Sequence, residues 1–186
     1  PGLAGCGRRR ASEVGEATMA EKNGVSSASE GTERITDITL DEQSVVRRAP
    51  EIEHERAVAI YDLLDMNRFR PAGDYTGPYK VTLSIEDGKR LLFRIRNEAD
   101  EDLTSVTLPL SPFRSLVRDY FQICESYFDA IKKLSPSQIE TIDMARRGLH
   151  NEGSDLLIER LKEKIELDKA TARRLFTLIC VLHIRG

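Results

Sequence analysis

The stretch YKVTLSIEDGKRLLFRI, residues 79–95, decides the fold class. Tyr79, Val81, Leu83 and Ile85 alternate with Lys80, Thr82 and Ser84, the period-two pattern of a strand with one buried face. Asp87-Gly88 supplies a tight turn. On the return, Leu91, Phe93 and Ile95 share one face, and Arg90, Leu92, Arg94 and Arg96 share the other. The acidic loop NEADED (97–102) then leads to a third strand with Val106, Leu108 and Leu110 inward. Three antiparallel strands with one apolar face need a covering layer.

The downstream sequence supplies that layer as helices. Ser111-Pro112 reads as an N-cap and an N1 proline. Phe113, Leu116, Val117, Tyr120, Cys124, Tyr127, Phe128 and Ile131 then keep helical spacing. Ser135-Pro136-Ser137-Gln138 opens the next helix with a capping-box pattern, and Ile139, Ile142 and Leu149 lie on its face. Gly148 to Gly153 is expected to interrupt it. Ser154 is then read as the cap of a further stretch carrying Leu157, Leu161 and Ile165. Asp168 caps a last helix that buries Ala172, Leu175, Phe176, Ile179 and Leu182.

Upstream, Pro50 with Glu51, Glu53 and Glu55 starts a helix whose expected face is Ala57, Ile60, Tyr61 and Leu64. MNRFRPAGDYTGP (66–78) breaks it, and ITDITL (35–40) reads as an edge strand. The expected architecture is α+β, a three- or four-stranded antiparallel meander sheet packed against a C-terminal helical half. It forms one domain over 34–186, behind a tail over 1–33 with no hydrophobic periodicity that reads as disordered. The chain opens on Pro1 and its first methionine is Met19, so residues 1–18 read as an upstream extension.

The 186 residues are enough for one domain with a real core. A net charge of −3 does not suggest a dedicated nucleic-acid binder. No apolar run is long enough to span a bilayer, and the N-terminus has no secretory h-region. Glu13, Glu16 and Glu21 argue against a transit peptide. The three cysteines, Cys6, Cys124 and Cys180, form no CxxC motif, which fits a reducing, cytoplasmic setting. Cys124 and Cys180 sit in apolar helical runs and read as small buried hydrophobes rather than nucleophiles.

Five ordered segments carry a resemblance: HERAVAIYDLL (54–64), GPYKVTLSIED (77–87), SPFRSLVRDYFQICESYFDAI (111–131), PSQIETIDMARRGLHNEGSDLLIERL (136–161) and ATARRLFTLICVLH (170–183). In order and without large gaps, these strings resemble an alphaproteobacterial family of uncharacterised proteins over about residues 35–186. The resemblance implies a bacterial cytosolic protein and supplies no activity, ligand or catalytic residue.

The chemistry-bearing stretch is RRGLHNEGS (146–154). His150 is the candidate for proton transfer, with Glu152 to orient it. Arg146 and Arg147 are candidate anion clamps, with Asn151, Ser154 and the backbone of a helix starting near Ser154 as further ligand contacts. The competing reading is a bend between helices, with Glu152 paired to an arginine. His54, His150 and His183 show no metal-ligand spacing, so no metal is expected. His54 is read as a helix-surface residue and His183 as a cation at a helix C-terminus. No Gly-rich nucleotide loop or nucleophile elbow is present, so no cofactor is expected.

Lys80, Arg90, Arg94 and Arg96 on the outward hairpin face offer phosphate contacts, and Arg114, Arg118, Arg173 and Arg174 add to them from the helices. That face lacks aromatics for base stacking, so RNA association is the least favoured reading. The aromatic surplus on the 112–133 helix leaves a protein partner or a homodimer open. The leading expectation is a non-enzymatic cytosolic protein that binds a partner or a small anionic ligand. An enzyme built on the RRGLHNEG segment is the alternative.

Overall fold

The computed structural model describes residues 31–41 and 49–183. The expected disordered tail falls outside them except for residues 31–33, and Cys6 and Met19 fall outside with it. In chain order the elements are β1 (Ile35–Asp41), α1 (Pro50–Asp65), β2 (Phe69–Pro71), β3 (Tyr79–Glu86), β4 (Arg90–Arg96), β5 (Asp102–Pro109), a 3₁₀ turn (Ser111–Phe113), α2 (Arg114–Lys133), α3 (Pro136–Leu161), β6 (Ile165–Leu167) and α4 (Lys169–His183).

The α+β reading holds. β3, β4 and β5 form the antiparallel meander, with Val81 opposite Ile95 and Phe93 opposite Val106. The β3–β4 turn uses left-handed backbone at Asp87 (φ 53°) and Gly88 (φ 63°). β1 joins this meander beside β3 but runs parallel to it, with Ile38 opposite Val81 and Leu40 opposite Leu83. The sheet is therefore mixed, in the order β1-β3-β4-β5. The connection between β1 and β3 passes through α1, and a helical crossover of that length returns the chain parallel.

One sheet face carries the core: Val81, Leu83, Leu91, Phe93, Ile95 and Leu108 are essentially inaccessible. They belong to one cluster with Leu175, Leu178, Ile179 and Leu182 of α4. α4 is the central helix. Beyond its expected face it also buries Thr177, Leu178, Cys180 and Val181, so from Leu175 to Leu182 it is surrounded. A helix apolar on all sides is a buried one. α1, α2 and α3 pack around it.

Four local expectations are corrected. Ala57 and Tyr61 of α1 are exposed, and Ile52, Ala59 and Leu63 are buried instead. The helix carries apolar residues on more than one side, and its packing against α4 and β1 selects the stripe. Ser111 opens a 3₁₀ turn without a side-chain cap bond. The breaker segment contains β2, which pairs antiparallel with β6, so Ile165 lies in a strand opposite Pro71 and not on a helix face.

The fourth correction bears on the site: α3 runs unbroken from Pro136 to Leu161 through both glycines. Asp168, in contrast, caps α4 as expected, its Oδ1 accepting from the Thr171 N–H at 2.7 Å. Ser135 and Gln138 form the expected capping box at the start of α3, with the Gln138 side chain accepting from the Ser135 N–H at 3.2 Å.

Asn67, just past α1, ties the layers together. Its Oδ1 accepts from the Ile35 N–H at 2.7 Å, and its Nδ2 donates to the carbonyls of Ile35 (2.9 Å) and Leu63 (2.7 Å). The Arg68 N–H donates to Thr171 Oγ1 at 3.0 Å, so the end of α1 is also fixed to the start of α4.

Candidate functional site

Three helices place one face each on a common cleft of about 370 Å³. α1 contributes Glu55, Val58, Ala59 and Asp62, and α4 contributes Ala170, Arg173, Arg174 and Thr177. Both sets follow i, i+3, i+4, i+7, a single helical face. α3 adds Arg146, Arg147 and His150. The continuity of α3 makes this possible, because residues 146 and 150 fall one turn apart on the same side.

His150 is 8% exposed. Its ring packs edge-on against Tyr120 and Phe176, at centroid distances of 5.3 and 6.3 Å. Its Nδ1 lies 3.4 Å from Thr177 Oγ1. Burial, followed by the Arg146 and Arg173 guanidinium groups, lowers its pKa to about 4. At neutral pH it is therefore a neutral imidazole, not a group poised near working pH.

The four arginines are held differently. Asp143 accepts from Arg146 at 2.9 Å and from Arg147 at 2.6 Å, and hydrogen bonding from Arg146 keeps its carboxyl below the usual range. Arg146 also stacks over the Tyr127 ring at 5.0 Å and lies 3.7 Å from Glu55. Arg173 has no carboxylate partner among the described residues; it donates to the neutral amide oxygen of Asn151 at 3.0 Å. Arg174 donates to the Ala170 carbonyl at 3.0 Å and meets Asp62 only at 3.8 Å, and its Nε is buried with no acceptor among the described residues.

Of the expected site residues, Arg146, Arg147 and His150 converge in the cleft. Asn151 sits at its edge and orients Arg173. Glu152 does not join them: two residues on from His150 it projects from another side of α3, toward Asp119, Gln122 and Ser126 of α2. Ser154 is no cap. It is fully buried mid-helix and donates to the Asn151 carbonyl at 2.8 Å. With no helix starting there, the expected N-terminal anion site is absent.

The sequence does not single out Thr177 or Asp62, and it marks Arg173 and Arg174 only as general basic residues. The signal lies in α4, where Arg173, Arg174 and Thr177 share one helical side and Thr177 interrupts the apolar run from Leu175 to Leu182.

Deeper in, the Tyr120 hydroxyl lies 3.4 Å from Glu55 Oε2, and burial raises its pKa. Burial pushes Cys124 up to about 11 and raises Cys180 as well, so both thiols stay protonated as expected of core residues. His183 is lowered by burial and then by Arg114, so it is not the helix-end cation the sequence suggests. His54 is exposed on α1. Among the described residues no group of three His, Cys, Asp or Glu side chains is arranged to hold a metal ion.

The basic hairpin face is largely neutralised. Lys80 pairs with Asp100 at 3.0 Å, Arg94 with Asp102 at 2.5 Å and Arg90 with Asp87 at 3.2 Å, while Arg96 lies 3.7 Å from Asp100. Arg173 and Arg174 sit in the helical cleft, away from this sheet surface. Among the described residues no helix is long and apolar enough to cross a membrane.

No solved structure matches this fold. At the sequence level, the chain is similar to a protein from Paramagnetospirillum magneticum, 62% identical over 154 residues that cover 83% of this chain and 98% of the relative. A Rhodospirillum rubrum relative is 59% identical, covering 83% of this chain and 95% of its own length, and one from Agrobacterium fabrum is 54% identical, covering 84% and 98%. All three carry the name UPF0262 protein. The model of that uncharacterised protein family matches residues 32–185, and with it the chain belongs to the UPF0262 family.

Proposed function

We propose that this protein is a non-enzymatic binding protein of the bacterial cytosol that holds a small anionic ligand in the cleft between α1, α3 and α4. One observation carries the reading: four guanidinium groups line the cleft, and two of them, Arg173 and Arg174, have no carboxylate within 3.5 Å among the described residues. A guanidinium is always charged and carries five donors, so a partly enclosed one with donors to spare is a ready anion contact. The acid–base alternative is weaker, since Glu152 does not reach His150 and Thr177 is the group beside the ring. The cytosolic setting is supported by the free, buried Cys124 and Cys180 and by the bacterial relatives.

The test is a thermal-shift comparison of wild type with Arg173→Gln in inorganic phosphate, sulfate and short organic acids. A ligand at a hundred times its dissociation constant stabilises by about 2.7 kcal/mol. Stabilisation by an anion in wild type and its loss in the variant support the reading. Equal responses in both chains sink it.

A second reading, a macromolecular partner or a second copy, draws on the α2–α3 hairpin. Ile131, Leu134 and Met144 are exposed there, at 50%, 41% and 66%. Sedimentation of wild type against Ile131→Ser checks it, and a monomer in both rules out the second copy.

A further inference from the structure

The chemistry of the donors narrows the kind of anion. Arg146 and Arg147 project from α3 and Arg173 and Arg174 from α4, so guanidinium groups reach the cleft from two walls. A planar carboxylate is satisfied by one guanidinium fork, whereas a tetrahedral phosphate offers acceptor oxygens in several directions. Guanidinium donors on two walls suit the tetrahedral group, while the Thr177 hydroxyl, which donates to the Arg173 carbonyl at 3.2 Å, faces the His150 ring.

Charge points the same way. The four arginines meet three carboxylates, Glu55, Asp62 and Asp143, which leaves one positive charge in excess. A proton on His150 brings the excess to two, the charge of a phosphate monoester dianion. The groups that face His150 come from every helix around it: Glu55 and Asp62 on α1, Tyr120 on α2, Arg146, Arg147 and Asp143 on α3, and Arg173, Arg174 and Thr177 on α4. Burial and the nearby guanidinium groups hold the imidazole neutral, and a dianion cancels that positive field. No partner holds its Nε2 among the described residues, so that nitrogen is available to donate once protonated. A volume of about 370 Å³ exceeds a phosphoryl group, and Val58, Ala59 and Ala170 give the remainder an apolar wall.

We propose that the cleft binds a phosphate monoester and that His150 takes up a proton as the dianion enters. This rests on the anion-binding reading of the cleft. Glu55 then acts against binding: its carboxylate, 3.7 Å from Arg146 and 3.4 Å from the Tyr120 hydroxyl, is the loosely held negative charge that the phosphate has to face.

The experiment is calorimetric titration with phenyl phosphate and with benzoate, its planar counterpart, near pH 6.5 in two buffers of different ionisation enthalpy. Phenyl phosphate is expected to bind with uptake of about half to one proton, and His150→Gln to bind it more weakly without that uptake. Glu55→Gln should bind it roughly fivefold more tightly. Where the His150 variant does not fold, the ring resonances of wild-type His150 replace it, and their titration must move to higher pH with phenyl phosphate present. Benzoate binding as tightly as phenyl phosphate overturns the phosphate assignment and leaves the anion site standing. Phosphate binding without proton uptake, or with His150 titrating unchanged, overturns the coupling. Failure of both probes, and of sulfate, overturns the anion site itself.

Discussion

A Cβ built on Gly153 would lie 2.3 Å from the Phe176 ring, so the crossing of α3 over α4 depends on the absence of a side chain there. Gly148, five residues earlier on the same helix, has nothing within 4 Å of the equivalent position. The two glycines look alike in the sequence and have opposite roles. Gly153→Ala should destabilise the fold by about 1–3 kcal/mol, because Phe176 is fully buried and cannot withdraw without moving its neighbours. Gly148→Ala should stabilise it by roughly 0.5–1 kcal/mol through helix propensity. Urea unfolding of the two variants checks both signs; equal effects would show that the helix crossing is not limited by Gly153.

His150 should make stability depend on pH. Its folded pKa, about 4, lies below the ordinary value of 6.5 that the unfolded chain restores. The unfolded chain therefore binds more protons between those values. The stabilisation is present above the unfolded pKa and is lost as pH falls toward the folded one. Between pH 7.5 and pH 4.5 the loss is about 2–3 kcal/mol. His150→Gln should flatten that part of the profile relative to wild type, as read by urea unfolding at the two pH values. A variant with the wild-type slope would mean that the imidazole is already hydrated and protonated in the folded state.

Asn67 satisfies backbone groups of both β1 and α1. Asn67→Ala leaves the Ile35 N–H and carbonyl without these partners in a part-buried setting, which costs about 1–3 kcal/mol. Hydrogen exchange should show faster exchange at Ile35 first. Unchanged protection there would mean that water replaces the amide without penalty.

Lys80, Arg94 and Arg96 are paired with the loop that follows the hairpin, so an Asp100→Asn/Asp102→Asn double variant should bind polyanions more tightly than the wild type. Retention on a heparin column, compared at low and moderate salt, measures it. Identical elution of the two proteins would show that the outward face does not reach a polyanion even when its charges are released.

Cys124 and Cys180 should resist alkylation in the native protein at neutral pH, since burial keeps both thiols protonated and inaccessible. Mass spectrometry after iodoacetamide treatment should find them modified only in denaturant. Native labelling of Cys124 would reveal opening of α2 from α4.

Much of the fold was legible because hydrophobic periodicity is a local property. The hairpin at Tyr79–Ile95, the third strand ending at Pro109, the proline-led starts at Pro50 and Pro136 and the Asp168 cap all follow from residues close in sequence. The continuity of α3 was not legible, because Gly148 and Gly153 cost only about 1 kcal/mol each in helix propensity and tertiary packing outweighs that. The same error misplaced Ser154 as a cap and put Glu152 beside His150.

From the sequence alone follow the α+β class, the helical cover, the core character of Cys124 and Cys180 and the resemblance to the family that the comparisons confirm. Only the tertiary structure decides that β1 runs parallel, that α4 lies at the centre, and that Arg146 and Arg147 meet Arg173 and Arg174 around His150. The physical reason is range. Strand alternation, caps and helical stripes record interactions within a few residues, whereas the cleft brings together side chains from three helices spread over more than a hundred positions. Their convergence, and the shift it imposes on the buried imidazole, depend on how those helices pack, and no local pattern records that.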